Sequence, residues 1–139
     1  MQPSSEVLPL NGNLCVIGEA DPFIARLLQR FAEKSGFQVR IAQTGEAVLA
    51  FAQDDQPSLV ILEPELPGKL RGWEAALALN PLPGAQVIPL ILCTWLSDIE
   101  AQALVGRSLP LLQKPDLHYN DFMDALSVVG MDTQTGGSA

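Results

Sequence analysis

The chain has 139 residues, 47% hydrophobic and 17% charged, which suits one globular domain with a real core and excludes a disordered chain. Its formal net charge of -8 excludes a general affinity for phosphate backbones, so no nucleic acid is expected as a partner. No apolar run reaches the roughly 18 residues of a membrane span, so no membrane insertion is expected.

Residues 1–12 are polar with Pro3 and Pro9 and read as a lead-in to a domain spanning 13–130. They lack the basic and apolar regions of a secretory signal, so a cytoplasmic protein is expected. Leu14-Cys15-Val16-Ile17 is a short buried strand, ended by Gly18-Glu19-Ala20-Asp21-Pro22. Asp21 followed by Pro22 is a helix start, an acceptor at the N-cap and a proline in the first turn. Phe23, Ile24, Leu27, Leu28 and Phe31 keep helical spacing, and Gly36 closes that helix. Val39 to Ile41 is a short strand, and Thr44 caps a second helix that Asp54-Asp55-Gln56-Pro57 breaks.

Leu59-Val60-Ile61-Leu62 is an apolar, partly β-branched run, read as a strand covered on both faces. Glu63 follows at its C-terminal end, and Pro64 and Pro67-Gly68 turn the chain away. In an open parallel α/β sheet, chemistry gathers at the carboxyl ends of the strands, so Glu63 is where a working acid belongs.

Leu70 to Leu79 has a helical pattern stopped by Asn80-Pro81-Leu82-Pro83-Gly84. Val87 to Cys93 reads as a fourth buried strand, with Pro89 near its entrance. Ser97-Asp98-Ile99-Glu100 has the form of a capping box and opens a helix to about Val105. Leu109 to Leu112 is a fifth strand ended by Lys114-Pro115. Tyr119 to Val129 is a last amphipathic helix, and 131–139 reads as a disordered tail. The two cysteines, Cys15 and Cys93, lie in apolar runs and read as buried thiols. Five strands alternating with five helices imply right-handed crossovers and a parallel sheet covered on both faces.

The polar residues at the strand ends form a set: Glu19 and Asp21 after the first, Glu63 after the third, Thr94 after the fourth, Lys114 after the fifth. In this order they resemble the receiver domain of two-component response regulators, over about Asn13 to Gly130. The resemblance implies a doubly wound (βα)5 flavodoxin-like three-layer sandwich with strand order 2-1-3-4-5. It also implies an acidic pair that binds Mg²⁺, an Asp that accepts a phosphoryl group from a histidine kinase, and a hydroxyl and a lysine that read the phosphate. Aligned on Pro22, the acidic pair falls on Glu19 and Ala20, with Asp21 as the less critical third position. The acceptor falls on Glu63, the switch hydroxyl on Thr94, the lysine on Lys114. Leu66-Pro67-Gly68 matches the turn after the acceptor, and Gly72 the glycine after that.

The departures from the pattern decide the functional reading. The position that binds Mg²⁺ directly in the family is Ala20 here, and Mg²⁺ is held by only one or two carboxylates besides water and phosphate. Mg²⁺ binding is therefore expected to be weak or absent, and no other cofactor is implied. A glutamate at the acceptor position moves the attacking oxygen by roughly 1 Å, and misplacement of that order costs about 100-fold. Glu63 then either imitates the phosphorylated state in part, by placing an anion near Lys114 or Thr94, or merely pairs with Lys114. Leu111 stands where the family often has an aromatic switch residue, so an aromatic rotamer switch is not expected. Trp95 either fills the mouth of the site beside Pro115 or packs outward under the fourth helix. His118, the sole histidine, reads as an exposed loop residue.

These departures point to a pseudo-receiver, a non-enzymatic interaction module whose output does not depend on phosphate. Its partner, or a second copy, is expected on the face of the fourth helix, fifth strand and fifth helix, with Asp98, Gln102, Arg107, His118 and Asp121 as exposed groups. A histidine kinase is among the partners the resemblance implies. The alternative is a phosphorylatable receiver with an altered acidic site, Asp21 helping to hold Mg²⁺. A flavodoxin-like nucleotide or flavin binder is a third reading, against which stands the lack of a Gly-rich phosphate cradle after the first strand.

Overall fold

The apolar runs of the sequence become five parallel strands, and the segments between them fold as helices. The computed structural model describes residues 13–79 and 87–130. The expected lead-in, the tail and the Asn80–Gly84 stop lie outside the described residues. In chain order the elements are β1 (Leu14–Gly18), α1 (Pro22–Lys34), β2 (Gln38–Ala42), α2 (Gly45–Asp55) and β3 (Leu59–Leu62). Then come α3 (Gly72–Ala78), β4 (Leu90–Thr94), α4 (Asp98–Val105), β5 (Leu111–Gln113) and α5 (Tyr119–Val128). The sheet order is β2-β1-β3-β4-β5, every pairing parallel. This is the expected doubly wound order, with its switch point between β1 and β3.

Side chains alternate across the sheet and feed two cores. Cys15, Ile17, Ile61, Ile91, Cys93 and Leu112 pack under α1 and α5 with Leu28 and Phe122. Val16, Val60, Leu62, Leu90 and Leu92 pack under α2, α3 and α4 with Val48, Ala76 and Val105. β1, β3 and β4 are buried along their whole length, which is why they read as unbroken apolar runs.

The helix starts follow the caps. Asp21 Oδ1 accepts from Phe23 N at 2.8 Å and Ile24 N at 3.2 Å. Thr44 Oγ1 accepts from Ala47 N, and Ser97 and Glu100 form the expected reciprocal box. Three elements start later than the sequence pattern suggests. α3 begins at Gly72 rather than Leu70, because Arg71 is the N-cap, extended at φ -75° and ψ 165°, with its N–H taken by Glu74 Oε1. β4 begins at Leu90, just after Pro89, which has no N–H to give a ladder. β5 begins at Leu111 rather than Leu109, because the Gln102 amide takes both main-chain groups of Leu109, as donor and as acceptor.

Candidate functional site

The register brings the polar residues together. Gly18, Leu62 and Leu92 stand level across β1, β3 and β4, and Leu92 stands level with Leu111 in β5. Glu19 and Glu63 are therefore neighbours one residue past the paired strands, and the Glu63 N–H bonds the Gly18 carbonyl. Glu19 lies two residues past Ile17, Glu63 two past Ile61 and Lys114 two past Leu112. All three extend rows of the same face of the sheet, the one under α1 and α5.

Lys114 joins them. Its Nζ lies 2.7 Å from Glu19 Oε1 and 2.8 Å from Glu63 Oε1. The bond to Glu63 is well aligned, whereas the contact to Glu19 is a charge contact without hydrogen-bond alignment. The other oxygen of each carboxylate takes a main-chain donor: Glu19 Oε2 the Asp21 N–H at 3.0 Å, Glu63 Oε2 the Glu65 N–H at 2.9 Å. Exposure is 3% for Glu19, 6% for Glu63 and 6% for Lys114, so the three charges are buried as a set. Burial by itself lowers the Lys114 pKa. The contacts with Glu19 and Glu63 outweigh that and hold it above its ordinary value.

Around this set the other sequence candidates take distinct places. Ala20 is exposed and carries only a methyl group. Asp21 is exposed too, with Oδ1 given to the cap of α1. Thr94 is fully buried, and its hydroxyl accepts from Leu96 N at 3.1 Å. The Thr94 carbonyl accepts from Lys114 N and so fixes the lysine's backbone to the end of β4. Trp95, next in the chain, is 61% exposed. Leu111 is half-buried on β5, and Pro115 is exposed and follows a cis peptide. His118 is exposed and pairs with Asp116 at 2.7 Å. Among the residues singled out for the fourth-helix face, Asp98 and Asp121 are exposed, while Gln102 and Arg107 are half-buried.

Some groups at the site were not found from the sequence. The bridge from Lys114 to Glu19 is one; only the pair with Glu63 was expected. The i, i+2 spacing from Ile17, Ile61 and Leu112 carries the signal for all three residues. Gln113 is another: its side-chain amide donates at 2.9 Å to the carbonyls of both Thr94 and Leu96. Cys93, on the same face of β4, feels Lys114, Glu19 and Glu63, yet burial dominates and pushes its thiol up to about 12. Gly72 is needed at the back of the site, where a Cβ would land on the Glu63 carbonyl oxygen.

The resemblance implies a magnesium ion, and the residues can be tested for it. Mg²⁺ needs several hard oxygen ligands in a near-octahedral array. Glu19 Oε1 and Glu63 Oε1 already face the shared Lys114 ammonium, whose positive charge opposes a second cation. Ala20 offers no side-chain oxygen, and no group of three or more His, Cys, Asp or Glu side chains arranged for a metal occurs among the described residues. In this arrangement the side chains do not fit the ion.

The chain is similar to several known proteins. A family model for the response regulator receiver domain matches residues 15–115. The solved chemotaxis protein CheY4 of Vibrio cholerae is 20% identical, with a TM-score of 0.71, over 85% of this chain and 98% of that one. The receiver domain of a signal transduction histidine kinase from Syntrophus aciditrophicus is 23% identical, with a TM-score of 0.70, over 85% and 89%. The receiver domain of a sensor histidine kinase from Pseudomonas aeruginosa is 17% identical, with a TM-score of 0.71, over 86% and 98%, and holds a magnesium ion in its active-site cleft. No curated protein sequence matches the chain. At these identities the structural likeness carries the fold alone. The family model spans most of the chain, and on that match the chain belongs to the response regulator receiver domains of two-component signalling.

Proposed function

We propose that this receiver is a pseudo-receiver, a protein-interaction module whose output does not depend on phosphorylation. The observation that carries the reading is the state of Glu63. It is a buried glutamate at the acceptor position, with one oxygen on the Lys114 ammonium and the other on the Glu65 N–H. The Lys114 ammonium offsets the charge that makes a carboxylate nucleophilic, and the two hydrogen bonds fix its position. Ala20 removes the side-chain oxygen that a metal would need, so Mg²⁺ binds weakly or not at all, and the transferring phosphoryl group loses its main stabiliser. Glu63 is the plain partner of Lys114 in this reading, not an imitation of phosphate. The domain has no catalytic residue of its own.

The functional unit is 13–130, and its docking face is α4, β5 and α5. That face exposes Ile99 at 83% and Val128 at 71% beside Asp98, Asp121 and Asp124. An apolar surface with acidic groups suits a protein partner that offers apolar and basic groups, in the cytoplasm. A second copy or a histidine kinase on the same face is the other outcome of a binding test. No helix among the described residues is long and apolar enough to cross a membrane.

One observation favours the second reading, a phosphorylatable receiver: the magnesium ion in the cleft of the Pseudomonas domain, which shares the fold. The test is direct. The protein is incubated with acetyl phosphate and Mg²⁺ and weighed intact, and beryllofluoride is titrated while tryptophan emission is followed in a Trp73→Phe background, which leaves Trp95 as the one indole. No added phosphoryl mass and no saturable emission change are expected. A phosphorylated species, or a saturable emission change that needs beryllofluoride, establishes the second reading instead.

A further inference from the structure

The first helix presents a stripe that nothing in the domain matches. Phe23, Arg26 and Arg30 stand at i, i+3 and i+7 on α1, and all three are exposed, Phe23 at 74%. Arg26 and Arg30 form no ion pair among the described residues, in a chain whose net charge is -8. That spacing is the one by which a helix anchors in a groove, and protein contacts favour aromatic and arginine side chains. A complementary groove of about 550 Å³ lies between β5 and α5. Leu111, Leu117 and Val128 line it together with Asp116, Asp121 and Asp124. Asp121 and Asp124 are exposed and also lack an ion pair among the described residues. We propose that the chain associates head to tail, the α1 stripe of one copy seated in the β5–α5 groove of the next. This rests on the docking face proposed above and names its occupant.

Charge and placement select this pairing. A two-fold contact of the groove with itself brings one acidic rim against another, and its lining among the described residues holds no lysine or arginine to offset them. A two-fold contact of α1 with itself sets arginine against arginine. The unlike pair brings opposite charges together, and this one chain supplies both halves. One copy cannot close the contact on itself, because α5 stands between the two patches. Lys34, one turn past Arg30, has its Nζ 4.3 Å from the centre of the Tyr119 ring, on the α1 side of α5, while the groove is on the β5 side. Each copy therefore has a stripe to give and a groove to fill, which makes the contact heterologous and able to pass from copy to copy. Phe23 is the apolar end of the stripe, and Val128, 71% exposed, is the apolar residue that the groove leaves in water. Neither patch includes Glu19, Glu63 or Lys114, so the contact needs no phosphoryl group.

The test is sedimentation velocity from micromolar to millimolar protein, without a phosphodonor, on the wild type and two charge-reversed variants. The wild type is expected to sediment as larger species as its concentration rises. Arg26→Glu with Arg30→Glu, and separately Asp121→Lys with Asp124→Lys, are each expected to weaken association at least about tenfold, since unlike charges become like ones. An equal mixture of the two variants is expected to associate again, because every contact between them pairs opposite charges. A wild type that stays monomeric to millimolar concentration overturns the proposal. So does association that survives the α1 reversal, the sign of a two-fold contact elsewhere, and so does a mixture that stays monomeric. Circular dichroism checks the fold of each variant. Where a charge variant does not fold, Phe23→Ser and Val128→Ser take its place, and association unchanged in both overturns the proposal. Its failure is separate from that of the pseudo-receiver reading. A monomeric wild type that takes no phosphoryl group from acetyl phosphate removes the second copy and leaves the docking face to another protein. Head-to-tail association by a protein that acetyl phosphate does phosphorylate has the reverse meaning.

Discussion

The Gln113 side-chain amide reaches back from β5 and donates to the main-chain carbonyl of Thr94 at 2.9 Å. Its second donor goes to the Leu96 carbonyl, so one side chain ties the turn after β4 to the neighbouring strand. Gln113→Leu removes both bonds at a position that water can reach, and each net hydrogen bond is worth about 1 kcal/mol. The variant is expected to stay folded with a small loss of stability in urea. Hydrogen exchange should speed up at the Leu96 amide, which the Thr94 hydroxyl now holds. An unchanged Leu96 exchange rate contradicts the tie.

Asp21 separates a capping role from a metal role. Both of its observed side-chain contacts are to the first-turn amides of α1. Asp21→Ala is expected to cost about 1 kcal/mol of stability, the usual effect of losing an N-cap. Asp21→Asn or Asp21→Ser should recover most of it, since both cap as well. If only an acid restores the protein, and only in Mg²⁺, the residue is a ligand and not a cap.

Lys114 sets a pH dependence of known sign. Its folded pKa is raised above the 10.5 of a free lysine. Its contribution is therefore complete below that value and is lost as pH rises through the folded pKa. Stability measured by urea unfolding should hold across neutral pH and fall in the alkaline range. Lys114→Met leaves two buried carboxylates facing each other, and breaking a buried pair in this way costs about 3–5 kcal/mol.

Gly72 tests the back wall of the site. A Cβ there would strike the Glu63 carbonyl oxygen, which is backbone and cannot swing away. Gly72→Ala is expected to cost about 1–3 kcal/mol through forced backbone shifts. Gly106→Ala is the contrasting case: the nearest atom to its Cβ is a Leu77 methyl at 3.8 Å, and the strain there comes from a φ of +76° alone. Denaturation midpoints of the two distinguish crowding from backbone strain.

Restoring the missing oxygen is the converse experiment. Ala20→Asp with Glu63→Asp supplies a metal ligand and shortens the acceptor by one methylene. The double variant is expected to gain reactivity with acetyl phosphate in Mg²⁺ by at least about 100-fold, the scale set by a 1 Å correction of an attacking atom. Intact mass after timed incubation measures it. No gain would place the block elsewhere, with Lys114 the first candidate.

Most of the fold was legible because burial on both faces writes itself plainly: Leu59 to Leu62 and Leu14 to Ile17 are apolar without a break. The caps were legible for the same local reason, since Asp21, Thr44 and Ser97 bond amides only two or three residues away. What the sequence concealed was set by distant side chains. The Gln102 amide occupies the backbone of Leu109 and shortens β5, and the Leu70 N–H goes to Glu46 Oε1 across from α2. The site divides the same way. Glu63 and Lys114 announce themselves by position at strand ends, and the i, i+2 spacing puts Glu19 on the same face, but the reach of one ammonium to both acids is a matter of side-chain conformation.

Trp95 stands out in the water immediately after a threonine that water never reaches. A single peptide bond thus joins the sealed interior of the sheet to a large indole on the surface. Anything that settles on that rim, or tugs at the chain beneath it, must alter the light the indole emits. The protein carries an optical gauge at the end of β4, one residue from the buried Thr94.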